Sequence, residues 1–91
     1  MKYIVLKGEL LDLPFLFSNT LNHAKVADML LGFGANDKSG LFVISAGFVR
    51  FTDGKVVAHG ESVSLRLKSR PEEDSKLISI NLKVNGIGIY D

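Results

Sequence analysis

The stretch GLFVISAGFVRFTDGKVVAHGE, residues 40–61, carries the clearest local indication of the fold. At its centre, Asp53–Gly54 is a dipeptide typical of two-residue β-hairpin turns, because both central residues of such a turn adopt positive φ. The turn predicts two antiparallel strands in which Thr52 pairs with Lys55, and the register continues outward from that pair. The predicted core face of this hairpin consists of Val49, Phe51, Val56 and Ala58.

The first strand of the hairpin changes the phase of its apolar residues along its length. Before the change, apolar side chains occupy even positions, as at Phe42 and Ile44, whereas Val49 lies at an odd position. A β-bulge inserts one residue and thereby reverses the phase of a strand. We therefore predict a bulge at Ala46–Gly47.

Two segments that precede the hairpin indicate further strands. KYIVLK, residues 2–7, is apolar on both faces, which predicts a strand in the interior of the sheet. LPFLF, residues 13–17, indicates a second extended segment. Pro14 favours the start of this strand or an edge position, because proline lacks the amide donor that a central strand needs.

A helix is predicted over residues 22–31. Asn22 is suited to cap its first turn, and Val26 and Leu30 repeat at helical spacing. The glycine-rich segment GFGANDKSG, residues 32–40, is predicted to be a loop between this helix and the hairpin.

Beyond the hairpin, GESVSLRLK, residues 60–68, predicts another strand. Val63, Leu65 and Leu67 alternate with polar residues, which is typical of a strand that buries one face and exposes the other.

The chain then indicates the start of a second helix. Ser69 and Glu72 have the spacing of a capping box, and Pro71 is suited to the first helical turn. These signals predict a helix near residues 70–82. The alternating apolar residues of LISINLKV, residues 77–84, leave a strand open as the alternative for this part.

These segments predict a single α+β domain over residues 1–91, with an antiparallel sheet centred on the hairpin and about two helices. The residues expected in its core are Val5, Leu6, Val26, Leu30, Val43, Val49, Phe51, Val56, Leu65, Leu67 and Leu77.

The composition limits the classes of protein to which the chain can belong. A hydrophobic fraction of 46% provides for a packed core, and the absence of cysteine excludes disulfides and thiolate metal sites. No apolar run is long enough for a membrane span, and the start of the chain lacks the features of a signal peptide. We expect a protein of the cytoplasm that does not contact membranes.

No segment predicts catalysis or a cofactor. GESVS lacks the second glycine of a nucleophile elbow, so Ser62 and Ser64 are expected to be structural. The glycines of residues 32–40 do not have the order of a phosphate loop. His23 and His59 are far apart in sequence and lack the spacing of paired metal ligands. We expect no enzymatic activity, no cofactor and no metal.

The charges are unevenly distributed although the net charge is only +1. Residues 48–70 contain five basic and two acidic residues, which gives +3. If the strand over residues 60–68 lies beside the hairpin, the exposed faces form one basic strip, which we expect to be the binding face. Such a strip could bind single-stranded nucleic acid or an acidic protein, or be an ordinary solvated face. The strip consists of Phe48, Arg50, Lys55, His59, Arg66 and Lys68.

Two of these segments also resemble a pattern in small hypothetical proteins of bacteriophages and prophages. ISAGFV, residues 44–49, and GESVSLRLKSRPEED, residues 60–74, are similar to it, as is Asn22–His23 before a helix. The similarity covers most of residues 22–80.

The resemblance implies a phage-encoded accessory protein, present in the bacterial host cytoplasm or in the virion. It favours three roles: binding of a bacterial protein, association with nucleic acid, and a minor part in virion assembly. All three are binding roles. A protein partner or self-association is the leading expectation.

Overall fold

The computed structural model describes residues 1–8, 10–31 and 42–85, with side chains up to residue 82. Strands β1, β2, β3 and β4 form one antiparallel sheet in the order β2–β1–β3–β4, and β5 pairs with β6 in a separate small sheet. This arrangement confirms the α+β prediction. Neither helix of the described part is long and apolar enough to cross a membrane. The elements are β1 (Lys2–Lys7), β2 (Asp12–Phe17), α1 (His23–Leu31), β3 (Phe42–Thr52), β4 (Lys55–His59), β5 (Glu61–Ser62), β6 (Leu67–Lys68) and α2 (Pro71–Asn85).

The hairpin of β3 and β4 has the predicted turn and register. Asp53 and Gly54 have φ values of 51° and 76°, so both central residues are in the left-handed region that this turn requires. Thr52 pairs with Lys55, and the register continues unbroken to the pair of Phe48 with His59. The predicted loop over residues 32–40 lies outside the described residues.

The bulge in β3 lies earlier than predicted. The register between β1 and β3 shifts where Val5 pairs with Ser45 and the next residue, Leu6, pairs with Val43. Ile44 is therefore the inserted residue, and the prediction of a bulge at Ala46–Gly47 was wrong. The small residues that follow Ile44 are fully buried, and their size reflects close packing on both sides of the strand rather than an irregularity.

The large sheet has a core on each of its two faces. On one face α2 covers the sheet, and the buried cluster contains Tyr3, Val5 and Ile78. On the other face α1 and the β5–β6 hairpin cover part of the sheet, with Ile4 and Val26 in a second cluster. The burial of β1 on both faces confirms the prediction for residues 2–7.

Most of the predicted core residues are buried or half-buried, but two are not. Leu30 is 39% exposed because the side of α1 that packs against the sheet contains Val26, Ala27 and Leu31, and Leu30 lies beside it. Phe51 is 38% exposed because it lies next to the turn, at the end of the sheet. Those two core predictions were wrong. The buried members are Val5, Leu6, Val26 and Val49, and the half-buried members are Val43, Val56, Leu65, Leu67 and Leu77.

The prediction of one continuous strand over residues 60–68 was also wrong. Only β5 and β6 are extended, and the four residues between them form a turn closed by the Arg66 amide, which donates to the Val63 carbonyl at 3.3 Å. Leu65 and Leu67 pack against the core, but Val63 is 85% exposed. The alternation of apolar and polar residues in this segment therefore belongs to a short hairpin, in which one apolar residue, Val63, lies at the tip.

Helix α2 begins at Pro71, as predicted, but Ser69 does not have the capping position of a capping box. The carboxylate of Asp74 accepts hydrogen bonds from the Arg70 amide at 2.9 Å and from Arg70 Nε at 3.0 Å. The Tyr3 hydroxyl donates to the same carboxylate at 2.6 Å. Asp74 is fully buried, so this network fixes the start of α2 to β1. Burial, followed by the contact with Asp74, raises the pKa of Tyr3 far above its ordinary value. The helix continues to Asn85, which excludes the strand alternative for residues 77–84.

Both outer strands of the sheet have features that limit further pairing. The Val49 amide donates to the Met1 carbonyl at 2.8 Å, which fixes the alternation of backbone hydrogen bonds along β1. Met1 and every second residue after it on β1 therefore direct their backbone groups toward β3. Val5 is one of these residues, so its backbone groups and those of its partner Pro14 on β2 point away from each other. The Pro14 nitrogen therefore faces the open edge of β2. This placement confirms the edge position predicted for that strand.

On the opposite side of the sheet, a helical side chain occupies part of the edge of β4. The outward-pointing amide of Ala58 donates to Ser75 Oγ of α2 at 2.9 Å. The hydroxyl takes the place that a further strand would need at this position.

Candidate binding site on the β3–β4 face

Part of the sheet face that carries α1 remains uncovered by any described element. Alternate residues of β3 and β4 point to this side, and we call them the β3–β4 face. Arg50 and Lys55 are exposed, whereas Phe48, Val57 and His59 are half-buried. The β3–β4 face consists of Phe48, Arg50, Thr52, Lys55, Val57 and His59.

Two neighbouring depressions lie along this surface. The first, of about 390 Å³, lies between Phe48 and the β5–β6 turn. The second, of about 380 Å³, lies at the hairpin end beside Arg50 and Val57. Phe48 and Arg50 are alternate residues on the same face of β3, so the two depressions lie along one side of the sheet. The first is lined by Lys2, Asn22, His23, Phe48, Glu61, Val63 and Ser64.

A row of four rings lies at the Phe48 end, and two of them, His23 and Phe48, line the first depression. Phe17 contacts His23 edge-to-face with centroids 5.4 Å apart, and His23 contacts Phe48 edge-to-face at 5.7 Å. Phe48 in turn stacks on His59, with centroids 6.1 Å apart and an interplanar angle of 26°. These contacts hold the Phe48 ring in one orientation, so the surface offers a preformed apolar centre.

His23 is the buried member of this row. Its Nε2 donates to the Gly47 carbonyl at 2.9 Å, which assigns the proton of the neutral ring to Nε2. Burial lowers the pKa of His23; the hydrogen bond to Gly47 acts in the opposite direction, and the positive charge of Lys2 lowers the pKa again. The ring is therefore a neutral structural element at neutral pH.

We expect the protein to lose stability in mildly acidic solution because of His23. A group with a lowered folded-state pKa binds a proton more readily when unfolded, so its contribution is complete above about pH 6.5 and declines as the pH falls below that value. The free energy of unfolding, measured by urea denaturation, should decrease between about pH 7.5 and pH 5.5. In His23→Gln, whose amide can still donate to Gly47, the decrease should be smaller. An equal decrease in both proteins would contradict the assignment.

The serines beside the first depression have structural roles. Ser62 is buried, and its hydroxyl accepts the Leu65 amide at 3.2 Å within the turn. The Ser64 hydroxyl lies 3.3 Å from the Ala24 amide, which also donates to Asn22 Oδ1 at 2.8 Å. Asn22 therefore caps α1 as predicted, and Ser64 connects the β5–β6 turn to that helix, whereas Ser62 bonds within the turn.

The predicted basic strip is divided into two parts. Phe48, Arg50, Lys55 and His59 lie together, but Arg66 and Lys68 belong to the separate β5–β6 hairpin. The division follows from the turn at residues 63–66, which prevents residues 60–68 from extending the large sheet.

The described ion pairs leave the cations of the face available. The basic residues in those ion pairs are Lys7 and Arg70. Lys2, Arg50 and Lys55 therefore have no carboxylate within ion-pair distance among the described residues. Lys2 Nζ instead donates to the Leu21 carbonyl at 2.8 Å.

Several residues that line this surface were not assigned to it from the sequence. Lys2 reaches it because β1 pairs with β3 and places Lys2 opposite Phe48. Val63 reaches it because of the turn between β5 and β6. Neither contact has a local sequence signal. Val57 is different, since the hairpin register already placed it opposite Arg50 and could have identified it.

In comparisons with protein-family models, curated proteins and solved structures, nothing matches the chain significantly. Within the described residues, no three histidine, aspartate or glutamate side chains come together in a way that could hold a metal ion.

Proposed function

We propose that this chain is a phage-encoded accessory protein that binds another protein through the β3–β4 face and has no enzymatic activity. The phage origin rests on the sequence resemblance over residues 22–80. The binding role rests on one observation: a sheet face with a fixed aromatic centre is left uncovered by the described elements and is bordered by cations that have no carboxylate partner among the described residues.

The arrangement of this surface supports a protein partner. Phe48 and Val63 are apolar residues of the first depression and Val57 is the apolar residue of the second, and charged side chains, among them Lys2 and Arg50, lie beside them. Interfaces between proteins commonly have an apolar, aromatic centre and a polar rim in which arginine is frequent. The rim has more basic than acidic groups, which favours a partner with an acidic surface.

The same surface is less suited to nucleic acid. Lys2, Arg50 and Lys55 are accompanied by the acidic Asp53 and Glu61, so the basic excess is a single charge, which is small for a surface that would have to neutralise several phosphates. Base stacking needs an accessible ring face, but Phe48 is already stacked on His59 and held by His23. A protein partner therefore fits the surface better.

The proposal is tested by affinity capture followed by quantitative binding. Proteins of a phage-susceptible bacterium are captured on the immobilised chain, and the captured partner is purified and titrated by calorimetry. The double variant Arg50→Ser/Lys55→Ser should bind it at least about tenfold more weakly, since both cations are expected to face carboxylates. Lys76→Ser is the matched control, because Lys76 is an exposed lysine on α2 at the opposite face.

Two results would contradict the proposal. One is equal binding of the partner by the wild type and the double variant, which would remove the β3–β4 face from the interface. The other is tight binding of labelled oligonucleotides that weakens steeply with salt, measured by fluorescence anisotropy, which would identify a nucleic-acid-binding protein.

A further inference from the structure

The turn between β5 and β6, residues 63–66, contains two residues that the fold does not require there. One is an exposed β-branched apolar residue, Val63, and the other is Arg66 in a left-handed conformation. The left-handed conformation of Arg66 is unfavourable for the isolated protein, and the exposed Val63 side chain adds little buried area to it. Their occurrence within one short turn beside the first depression therefore calls for a role outside folding.

Val63 is at the tip of the turn and is 85% exposed. The buried position in the turn is occupied by Leu65, which packs against the core cluster that contains Val26. Val63 lines the first depression together with Phe48 and Lys2. A partner that fills the depression would therefore remove the Val63 side chain from water.

Arg66 has a φ value of 55°, a region that side chains other than asparagine and glycine rarely adopt. Glycine would fit this position without the steric conflict between Cβ and the backbone. The guanidinium is exposed and takes part in none of the described ion pairs. Nothing in the described fold explains an arginine here, whereas a planar group with five donors is well suited to bind a carboxylate.

We propose that this turn determines the specificity of binding and contacts an acidic segment of the partner protein. Val63 contacts an apolar side chain of that segment in the first depression, and Arg66 pairs with a neighbouring carboxylate. The acidic character follows from charge complementarity, because Arg66 and Lys68 are accompanied on the small hairpin by the single acid Glu61. The inference rests on the proposed function, since it names the chemistry of the partner.

The test uses a library of random short peptides, selected on the immobilised full-length chain. Enriched peptides should combine aspartate or glutamate with at least one apolar residue. Their affinity, measured by calorimetry, should fall at least about tenfold for Val63→Ser/Arg66→Gly and remain unchanged for Lys76→Ser.

Arg66→Gly alone separates a binding role from a structural one. Glycine relieves the strained φ, so the melting temperature should rise by about 3 °C while peptide affinity decreases. If Arg66 only stabilised the turn, Arg66→Gly would lower both the melting temperature and the peptide affinity.

The outcomes distinguish this inference from the function on which it rests. Peptides that bind the turn variants as tightly as the wild type but lose affinity for Arg50→Ser/Lys55→Ser would overturn the role of the turn and leave the β3–β4 face intact. Enriched peptides without an excess of acidic residues would overturn the acidic partner. A library with no enriched peptide, together with no captured protein, would overturn both.

Discussion

Replacing Asp74 with alanine should lower the free energy of unfolding by about 3 kcal/mol. The substitution leaves the Tyr3 hydroxyl, the Arg70 amide and the Arg70 guanidinium without their common buried acceptor. Asp12 and Glu73 lie near the guanidinium and can compensate in part, which keeps the loss below that of a fully isolated buried charge. Urea denaturation at neutral pH measures the difference.

Two further variants show whether the loss comes from the buried network. Glu73→Ala removes a carboxylate that also contacts Arg70 but whose side chain is 70% exposed, and it should cost no more than about 0.5 kcal/mol. Tyr3→Phe removes one of the donors to Asp74 and should cost about 1 kcal/mol. Equal effects of Asp74→Ala and Glu73→Ala would show that the network does not hold α2 on the sheet.

Replacing Gly47 with alanine should lower the free energy of unfolding by about 2 to 3 kcal/mol. A Cβ atom at this position would lie 2.5 Å from the His59 carbonyl oxygen and 3.2 Å from Ser69 Cβ. The His59 carbonyl belongs to the backbone and cannot rotate away, so β3 would have to separate from the end of β4. The same shift would disturb the bond between His23 and the Gly47 carbonyl, and binding to the β3–β4 face should weaken as well.

Ser45→Ala is the matched control for Gly47→Ala. Ser45 is fully buried two positions earlier on the same strand, and its hydroxyl has no hydrogen-bond partner among the residues that the structure describes. Its removal should leave stability unchanged or raise it by up to about 1 kcal/mol, because an unpaired buried hydroxyl is unfavourable. If Gly47→Ala also left the denaturation midpoint unchanged, the close approach at Gly47 would not constrain the fold.

The elements that could be predicted from the sequence are those with local causes. Asp53–Gly54 fixed the hairpin and its register because the turn itself requires positive φ at two residues. Asn22 and Pro71 indicated where the two helices begin, since caps and first-turn prolines act within a few residues. The apolar run of residues 2–7 likewise indicated a central strand.

The elements that could not be predicted depend on contacts distant in sequence. The turn at residues 63–66 contains no glycine or asparagine to indicate the positive φ of Arg66, and its alternating residues imitate a strand. In the sequence, Asp74 is indistinguishable from an ordinary acidic residue in the first turn of a helix. Its buried hydrogen bond with Tyr3 forms only because α2 packs on β1.

The candidate site shows the same division. Four residues of the predicted basic strip, among them Phe48 and Arg50, are together because the hairpin places them so. Lys2 and Val63 join them only through the order of the strands and the tip of the small hairpin.

Pro14 on β2 and Ser75 beside β4 have a consequence for how copies of this molecule can assemble. Each removes one of the backbone positions at which a neighbouring chain would have to continue the ladder of hydrogen bonds. Growth of the sheet from molecule to molecule, as in a fibril, is therefore hindered at both ends. The chain can in this way display an apolar surface around Phe48, Val57 and Val63 with a reduced tendency to polymerise, and any multimer should form through side-chain contacts.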